Sequence, residues 1–559
     1  MQFTRDDLEQ INKAYLASLT HAQLLRLSEL AFMDIKIYFE MFNTTPENSS
    51  RPSSSMPPWG RNCSQPQSHD RSENEEIDDE DASLLEEDLI PEAVDEYTNK
   101  EDVDQVPSDL PSNTDSSLNQ EETHSDQPTK RKPGRQPGAT GYSRSSSLPI
   151  HNEIIHLPQV CKGCNEKLDS DDFVKIGGHC TLDIECDGEE NPGISVIHTQ
   201  HIYAEYTCAG CGFVSSSRPN ITVEDENWNV RISQYHLVGP SLASLIVYLA
   251  MEMRLSRQKI KKMLQTWLHI TLSTSVINQT IHETARACEP LEQQIIDELN
   301  QADLNNVDET PWWERGGGSL YLWVFVSSFT ILFTTGRRTK EFVASILLKT
   351  YAGILMTDGY CVYREYTRRM RCWAHLLRKA KGLIDSLDPK AQAFGKKTKN
   401  LLNCLIQAIY EARDGPPVDL MGKYKSELSD FMLECENILR DEIIHPKCRE
   451  LAVEFLNDSY AIWMPLKYPF LCFTNNLAER ALRHWVIYRK LSLGTQGKQG
   501  SRAVCILASV IGTCNLRSCC PWKFLAGVLK NSRANQSIGK LPSLESSKEK
   551  FQEARRSAA

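Results

Sequence analysis

The stretch LNNVDETPWWERGGGSLYLWVFV, residues 304–326, decides how this chain is read. It places Asp308 at the end of one strand, then passes through a Gly-rich turn into a second apolar strand. A strand fixes a side chain well, and a divalent cation needs oxygen ligands held in a near-ideal array. A single aspartate is most often solvated or capping, so partners for Asp308 must come from elsewhere in the chain. Glu309 and Glu314 are poorer ligands, because the first lies on the opposite pleat face and the second in the turn. Trp312, Trp313 and the glycines from Gly316 shape that turn.

Downstream, YLWVFVS and FTILFTT read as two strands joined by a very short turn. Thr339 is placed to cap a helix through Phe342 and Ile346, and GILMTDGY supplies a fourth strand ending at Asp358. A right-handed crossover lays this strand parallel to the first and brings Asp308 and Asp358 to a common point. This order is an α/β arrangement, the core of a ribonuclease H-like fold. A third carboxylate is expected from a helix packed on the sheet. TNNLAERALRHWVIYRK offers Glu479 in its first turns, with Asn475 or Asn476 as the cap and Arg480, Arg483 and Arg489 close by. Taken alone, Glu479 among arginines reads as a salt-bridged structural residue; the conjunction with two aspartates shifts that balance.

The chain is long enough for three or four domains and, at 40% hydrophobic residues, can bury a large core. Its 18 Cys are scattered and no signal-peptide pattern precedes them, so a reducing cytoplasm is expected and disulfides are not. No uncharged apolar run reaches bilayer-spanning length. The net charge of −12 conceals an asymmetry: residues 44–128 hold 23 Asp or Glu against 4 Lys or Arg, a balance of −19, leaving +7 for the rest. That remainder is compatible with a nucleic-acid partner.

Residues 1–43 read as an N-terminal helical segment, with Thr20 and Gln23 spaced as a capping box before Leu24, Leu27, Leu30, Ile37 and Met41. Residues 44–129 form an acidic linker too poor in apolar side chains to offset the entropy of ordering. The segment 130–150 is a basic arm, in which Lys130, Arg131, Lys132, Arg135 and Arg144 sit on a Gly/Pro-rich backbone fit to track phosphates or to serve as a solvated linker. In 151–220, Cys161-x-x-Cys164 and Cys208-x-x-Cys211 provide two knuckles, four thiolates able to close a tetrahedral structural zinc site in a zinc-ribbon-like module. Cys180, Cys186 and His179 are rival ligands. HTQHIYAEYTC alternates like a strand entering the second knuckle. In 236–300 the pattern is helical and includes a possible helix-turn-helix: Arg257 to Trp267, a turn through His269 and Thr271, then a helix from Ser273 or Thr274 presenting Asn278, Gln279 and His282 outward. A plain helical bundle fits the same pattern. The core then occupies 301–380, is interrupted by a helical insertion at 381–470 that starts at Asp388-Pro389, resumes at 471–535 and ends in a disordered tail, 536–559.

From about Arg131 onward the chain resembles the insertion-sequence-66 family of bacterial DDE transposases. The resemblance rests on the RKPGRQPG arm, the paired CxxC knuckles, VDETPW, YLWV, TDGY, CWAHLLRK, NNLAERALR and RKLSLGTQGKQGSR, in that order. It implies that Asp308, Asp358 and Glu479 form a catalytic triad, and that Cys372 and His375 are a C-x-x-H element between the second and third acids. On residue chemistry alone, that element reads as a structural packing feature. Cleavage and joining of DNA would require two Mg²⁺ ions held by the three carboxylates. The expected partners are double-stranded DNA (element ends and target), further copies of the chain in a synaptic assembly, and small accessory proteins of the same element, with no membrane. Arg480, Arg483 and Lys490 are candidates for phosphate contact. The expected location is the bacterial cytoplasm, at the nucleoid when bound to DNA. Two rival readings are a catalytically idle DNA-binding derivative and a ribonuclease H-like nuclease that does not join ends.

Overall fold

In the computed structural model of the chain, the described residues are 11, 13–42, 148–168, 173–186, 193–218, 222–225, 228, 230–233 and 235–544. The acidic linker and the basic arm residues Lys130, Arg131, Lys132, Arg135 and Arg144 lie outside them. The N-terminal part contains α1 (Lys13–Ser18) and α2 (His21–Phe42). The capping box forms as expected: the Thr20 N–H donates to Gln23 Oε1 at 2.9 Å, and the Gln23 N–H donates to Thr20 Oγ1 at 3.4 Å.

A first sheet is built from β1 (Asn152–His156), β2 (Val174–Cys186), β3 (Ile194–Thr207) and β4 (Val214–Ser216), in the order β1-β3-β2, with β4 pairing β3. The expected strand into the second knuckle is β3, which ends one residue before Cys208. β5 (Thr222–Asp225) and β6 (Val230–Ser233) form a short hairpin.

Helices α3 (Pro240–Met251), α4 (Arg257–Leu268) and α5 (Thr274–Gln301) follow. His269 adopts the left-handed conformation that ends α4, and Ser273, not Thr274, caps α5 by accepting from the Val276 N–H at 3.2 Å. Two helices joined by a short turn are therefore present. However, α5 runs for 28 residues and its later turns are buried in the main core, where Cys288, Leu291, Ile295 and Leu299 pack.

The second sheet positions the acidic residues. Its strands are β7 (Leu304–Trp312), β8 (Leu320–Val326), β9 (Ile331–Gly336), β10 (Ile354–Thr357) and β11 (Arg369–Arg371), ordered β11-β10-β7-β8-β9. β7, β8 and β9 are antiparallel neighbours, and α6 (Lys340–Ile346), capped by Thr339, carries the chain back so that β10 lies parallel to β7. The three-strand, helix, strand order of the sequence reading is present. β11, parallel to β10, was not foreseen, because a three-residue strand of two arginines and a methionine carries no apolar run.

Helices α7 (Trp373–Ile384), α8 (Pro389–Asp414), α9 (Leu420–Lys423), α10 (Lys425–Arg440), α11 (Pro446–Ile462) and α12 (Met464–Lys467) form the expected helical stretch. Asp388 caps α8 by accepting from the Lys390 N–H at 2.8 Å, with Pro389 at the first helical position. The stretch is tied to β11 by a buried ion cluster. Asp458 of α11 accepts from Arg369 Nη2 at 2.6 Å and Arg371 Nη1 at 2.5 Å, and Glu454 accepts from Arg371 Nη2 at 2.9 Å.

The chain returns to the sheet through α13 (Asn476–Ser492), α14 (Lys498–Leu516) and α15 (Pro521–Arg533). α14 covers the exposed edge of β9 with hydroxyls: the Phe333 N–H donates to Ser509 Oγ at 2.8 Å and the Ile331 N–H to Thr513 Oγ1 at 3.2 Å. Unpaired edge groups buried under a helix would otherwise be costly. Within residues 536–544, expected to begin a disordered tail, Ile538 and Leu541 instead pack on the core: Leu541 is buried and its N–H donates to Gln294 Oε1 at 3.1 Å. The apolar Leu541 supplies the driving force, outweighing the polar composition around it. Among the described residues no helix is long and apolar enough to cross a membrane. The whole is a mixed α/β structure with mixed sheets.

Candidate active site and metal centre

Strand register places the first two acids side by side. β10 pairs β7 in parallel with Leu355 opposite Asn305 and Met356 opposite Asn306. The same offset sets Asp358, one residue past the end of β10, level with Asp308, and neighbouring strands run about 4.8 Å apart. Each aspartate is fixed by a local backbone donor: the Glu309 N–H donates to Asp308 Oδ1 and the Tyr360 N–H to Asp358 Oδ1, both at 2.9 Å. Gly359 follows Asp358 with φ of +113°, and a Cβ there would stand 2.0 Å from Arg371 Cζ. Glycine is required at this position both for the backbone angle and for the close approach of Arg371.

Glu479 comes from the first turn of α13, which packs on β7 and β8. The carboxylates share one electrostatic environment. Burial pushes the Asp308 carboxyl well above the usual carboxylate range, and Asp358, Glu309 and Glu479 push it further in that order. Crowded carboxylates of this kind suit a divalent cation, whose charge offsets their repulsion.

Asn475 was one of two candidates, with Asn476, for the helix cap. It occupies the N-cap position of α13, but its side chain makes no cap bond there. Instead Asn475 Nδ2 donates to the Val307 carbonyl at 3.0 Å, and its Oδ1 accepts from Asn306 Nδ2 at 3.1 Å. The start of the Glu479 helix is thereby pinned to the strand beside Asp308. A tertiary partner outcompetes the local cap, which is why sequence pattern misassigns this side chain.

Arg338 is a second residue that sequence reasoning missed. Its Nε donates to Glu309 Oε1 at 2.7 Å, and its guanidinium lies 3.7 Å from the Tyr360 ring centroid, two residues from Asp358. Tyr363 donates to Glu309 Oε2 at 2.6 Å. Both Glu309 carboxylate oxygens are thus already bonded to protein donors. Glu314 is tucked in as well, accepting from Ser501 Oγ.

The C-x-x-H element lies beside the third acid. Cys372, His375 and Glu479 each present a ligating atom within 4.8 Å of the other two. Cys372 and Trp373 are fully buried, and Trp373 Nε1 donates to the Ile462 carbonyl at 2.8 Å, so the expected packing role is present. Arg378 Nη2 approaches Glu479 Oε2 at 3.4 Å.

The four knuckle cysteines converge. Cys161 Sγ lies 3.5 Å from Cys211 Sγ, and Cys164 Sγ lies 3.7 Å from Cys208 Sγ. Four thiolates about 2.3 Å from one tetrahedral zinc stand about 3.8 Å apart, so the set fits that ion. The two knuckles repeat one geometry: Asn165 and Gly212 adopt φ of +62° and +71°, and their N–H groups donate to the Cys161 and Cys208 carbonyls at 2.9 and 2.8 Å. The backbone N–H of Cys164, aided by that of Gly163, draws the Cys161 thiol down, whereas, against the backbone N–H groups of Glu166 and Phe213, the neighbouring thiols push Cys164 and Cys211 up. Cys180 and His179 sit on β2 outside this cluster.

Of the proposed DNA contacts, Asn278 and Gln279 are exposed on α5, and Arg480, Arg483 and Lys490 are exposed on α13. His282 does not face outward as expected: it is partly buried, with Nδ1 3.4 Å from the Trp228 carbonyl. Arg489 turns back to donate to the Pro311 carbonyl.

Residues 236–503 match the model of the transposase IS66 family. The chain carries a domain of that family. The matched segment contains Asp308, Asp358, Cys372, His375 and Glu479, whereas the four-cysteine cluster and the basic arm lie before it. No curated protein matches the chain.

Proposed function

We propose that the chain is a DDE transposase with a ribonuclease H-like core, which binds the terminal inverted repeats of an insertion sequence and carries out magnesium-dependent cleavage and strand transfer. The observation that carries this reading is the level placement of Asp308 and Asp358 on adjacent parallel strands, with Glu479 in the same electrostatic environment, inside a segment of the transposase IS66 family. Asp308 would hold both of two magnesium ions, and Asp358 and Glu479 would each complete one site. When bound, such ions stabilise charge on the attacking and leaving oxygens of an in-line phosphodiester displacement.

The chain's own groups supply position. The backbone N–H groups of Glu309 and Tyr360 orient the aspartates, and Asn475 sets the start of the helix that carries Glu479. Arg480, Arg483 and Lys490 offer exposed positive charge to a phosphate backbone. The reaction comprises hydrolysis that frees a 3′-OH at the element end, then attack of that 3′-OH on target DNA, with the target 3′-oxygen leaving. The four-cysteine module would hold structural zinc and, with α4 and α5, the basic arm and additional copies of the chain, would assemble on element ends in the bacterial cytoplasm.

The test incubates the full chain with Mg²⁺, labelled terminal repeats and a supercoiled plasmid. Joined product supports the proposal, with Asp308→Ala retaining binding but forming neither cleaved nor joined DNA. Hydrolysis without joining, or binding without either, would overturn it.

A further inference from the structure

The contact between His375 and Glu479 is left unexplained by packing. His375 Nδ1 and Glu479 Oε1 are both sealed from solvent and neither has a hydrogen-bond partner among the described residues. They face each other at 3.6 Å, too long for a hydrogen bond. A buried carboxylate oxygen without a donor is costly, and two such atoms aimed at each other mark a place for a cation. Nitrogen and oxygen ligands about 2.0–2.1 Å from one tetrahedral ion stand about 3.3–3.4 Å apart, close to the observed separation.

Cys372 completes the set. The Asn475 N–H donates to its Sγ at 3.2 Å, the same kind of contact that the Gly163 N–H makes with Cys161 Sγ at 3.3 Å in the four-cysteine cluster. We propose that Cys372, His375 and Glu479 form a second transition-metal site, for zinc or a similar borderline-soft ion, separate from the four-cysteine site. One thiolate and one carboxylate balance a divalent charge, and the neutral imidazole supplies the third ligand, leaving a fourth position free for water. Glu479 Oε2, 3.4 Å from Arg378 Nη2, stays outside this set, so Oε1 would serve this site and Oε2 would remain for the magnesium site proposed above.

The test is metal stoichiometry, which is independent of any DNA reaction. Full-length chain saturated with zinc and then dialysed should hold two ions, and His375→Gln, Cys372→Ser and Glu479→Gln chains should each hold one. A wild-type count of one overturns the proposal, as does a count of two that persists in these variants. A second measurement uses the Cys161→Ser/Cys208→Ser chain loaded with Co²⁺. A sulfur-to-cobalt charge-transfer band that disappears on adding Cys372→Ser supports the site, and absence of any band overturns it.

Discussion

Asn306 and Asn475 share a buried hydrogen bond of 3.1 Å, from Nδ2 to Oδ1, where β7 passes beneath the start of α13. Together with the bond from Asn475 Nδ2 to the Val307 carbonyl, it couples the strand carrying Asp308 to the helix carrying Glu479. Asn475→Ala leaves a buried amide and a buried carbonyl without partners. The expected loss is about 1–3 kcal/mol of stability, measured by urea denaturation, with cleavage falling further than binding to element ends.

Metal binding at the carboxylates should register as stability. Bound magnesium at about 100 times its dissociation constant stabilises the folded state by about 2.7 kcal/mol. The wild-type melting temperature should therefore rise with Mg²⁺, and Asp308→Asn should remove that response. The same substitution should stabilise the metal-free protein, because it relieves the repulsion that Asp358, Glu309 and Glu479 exert on a buried charge.

Asp458 carries a prediction about pH. Against the cost of burial, Arg369 and Arg371 hold its carboxyl below the usual range. A lowered folded value means stability that is present above the unfolded value of about 4 and lost as pH falls through the folded one. Asp458→Ala leaves both guanidinium groups buried without that partner and should cost about 3–5 kcal/mol at neutral pH. The gap from wild type should close on acidification; a gap that is constant in pH would contradict this account.

Removing the knuckle metal should loosen the first sheet and spare the second. Cys161→Ser, or a strong chelator, should increase hydrogen exchange across residues 148–218 and weaken binding to element ends. Exchange in β7, β8 and β10 should stay near wild type, since α14 and α13 support that sheet through side chains remote from the cysteines.

Arg480, Arg483 and Lys490 should act as phosphate contacts. Replacing one of them with Ala should weaken binding to all DNA sequences about equally and reduce the slope of log affinity against log salt by about 0.9. A sequence-selective loss would instead mark a contact to base edges.

Much of the fold is legible because its signals are local. Apolar runs mark β7, β8 and β9, Thr339 and Asp388 mark helix starts, and the two C-x-x-C pairs mark the knuckles. β11 was not legible, because its residues are arginines whose charge is matched by Asp458 and Glu454, 83 to 89 residues away. Residues 536–544 were misread for a related reason: a single buried leucine carries too little periodic signal to mark an ordered segment.

The sequence by itself singled out the three acids as candidates, the four cysteines, the strand order that sets Asp358 beside Asp308, and the family resemblance, since each depends on residue type and short-range spacing. Only the tertiary structure decided what the side chains between these landmarks do. It turned Asn475 from a helix cap into a bridge to β7, matched Glu309 with Arg338 and Tyr363, and brought Cys372 and His375 to Glu479 across more than a hundred residues of chain. The physical reason is that a buried polar group takes the best partner the packed interior offers, and that partner is set by how helices and sheet meet, which spacing along the chain does not encode.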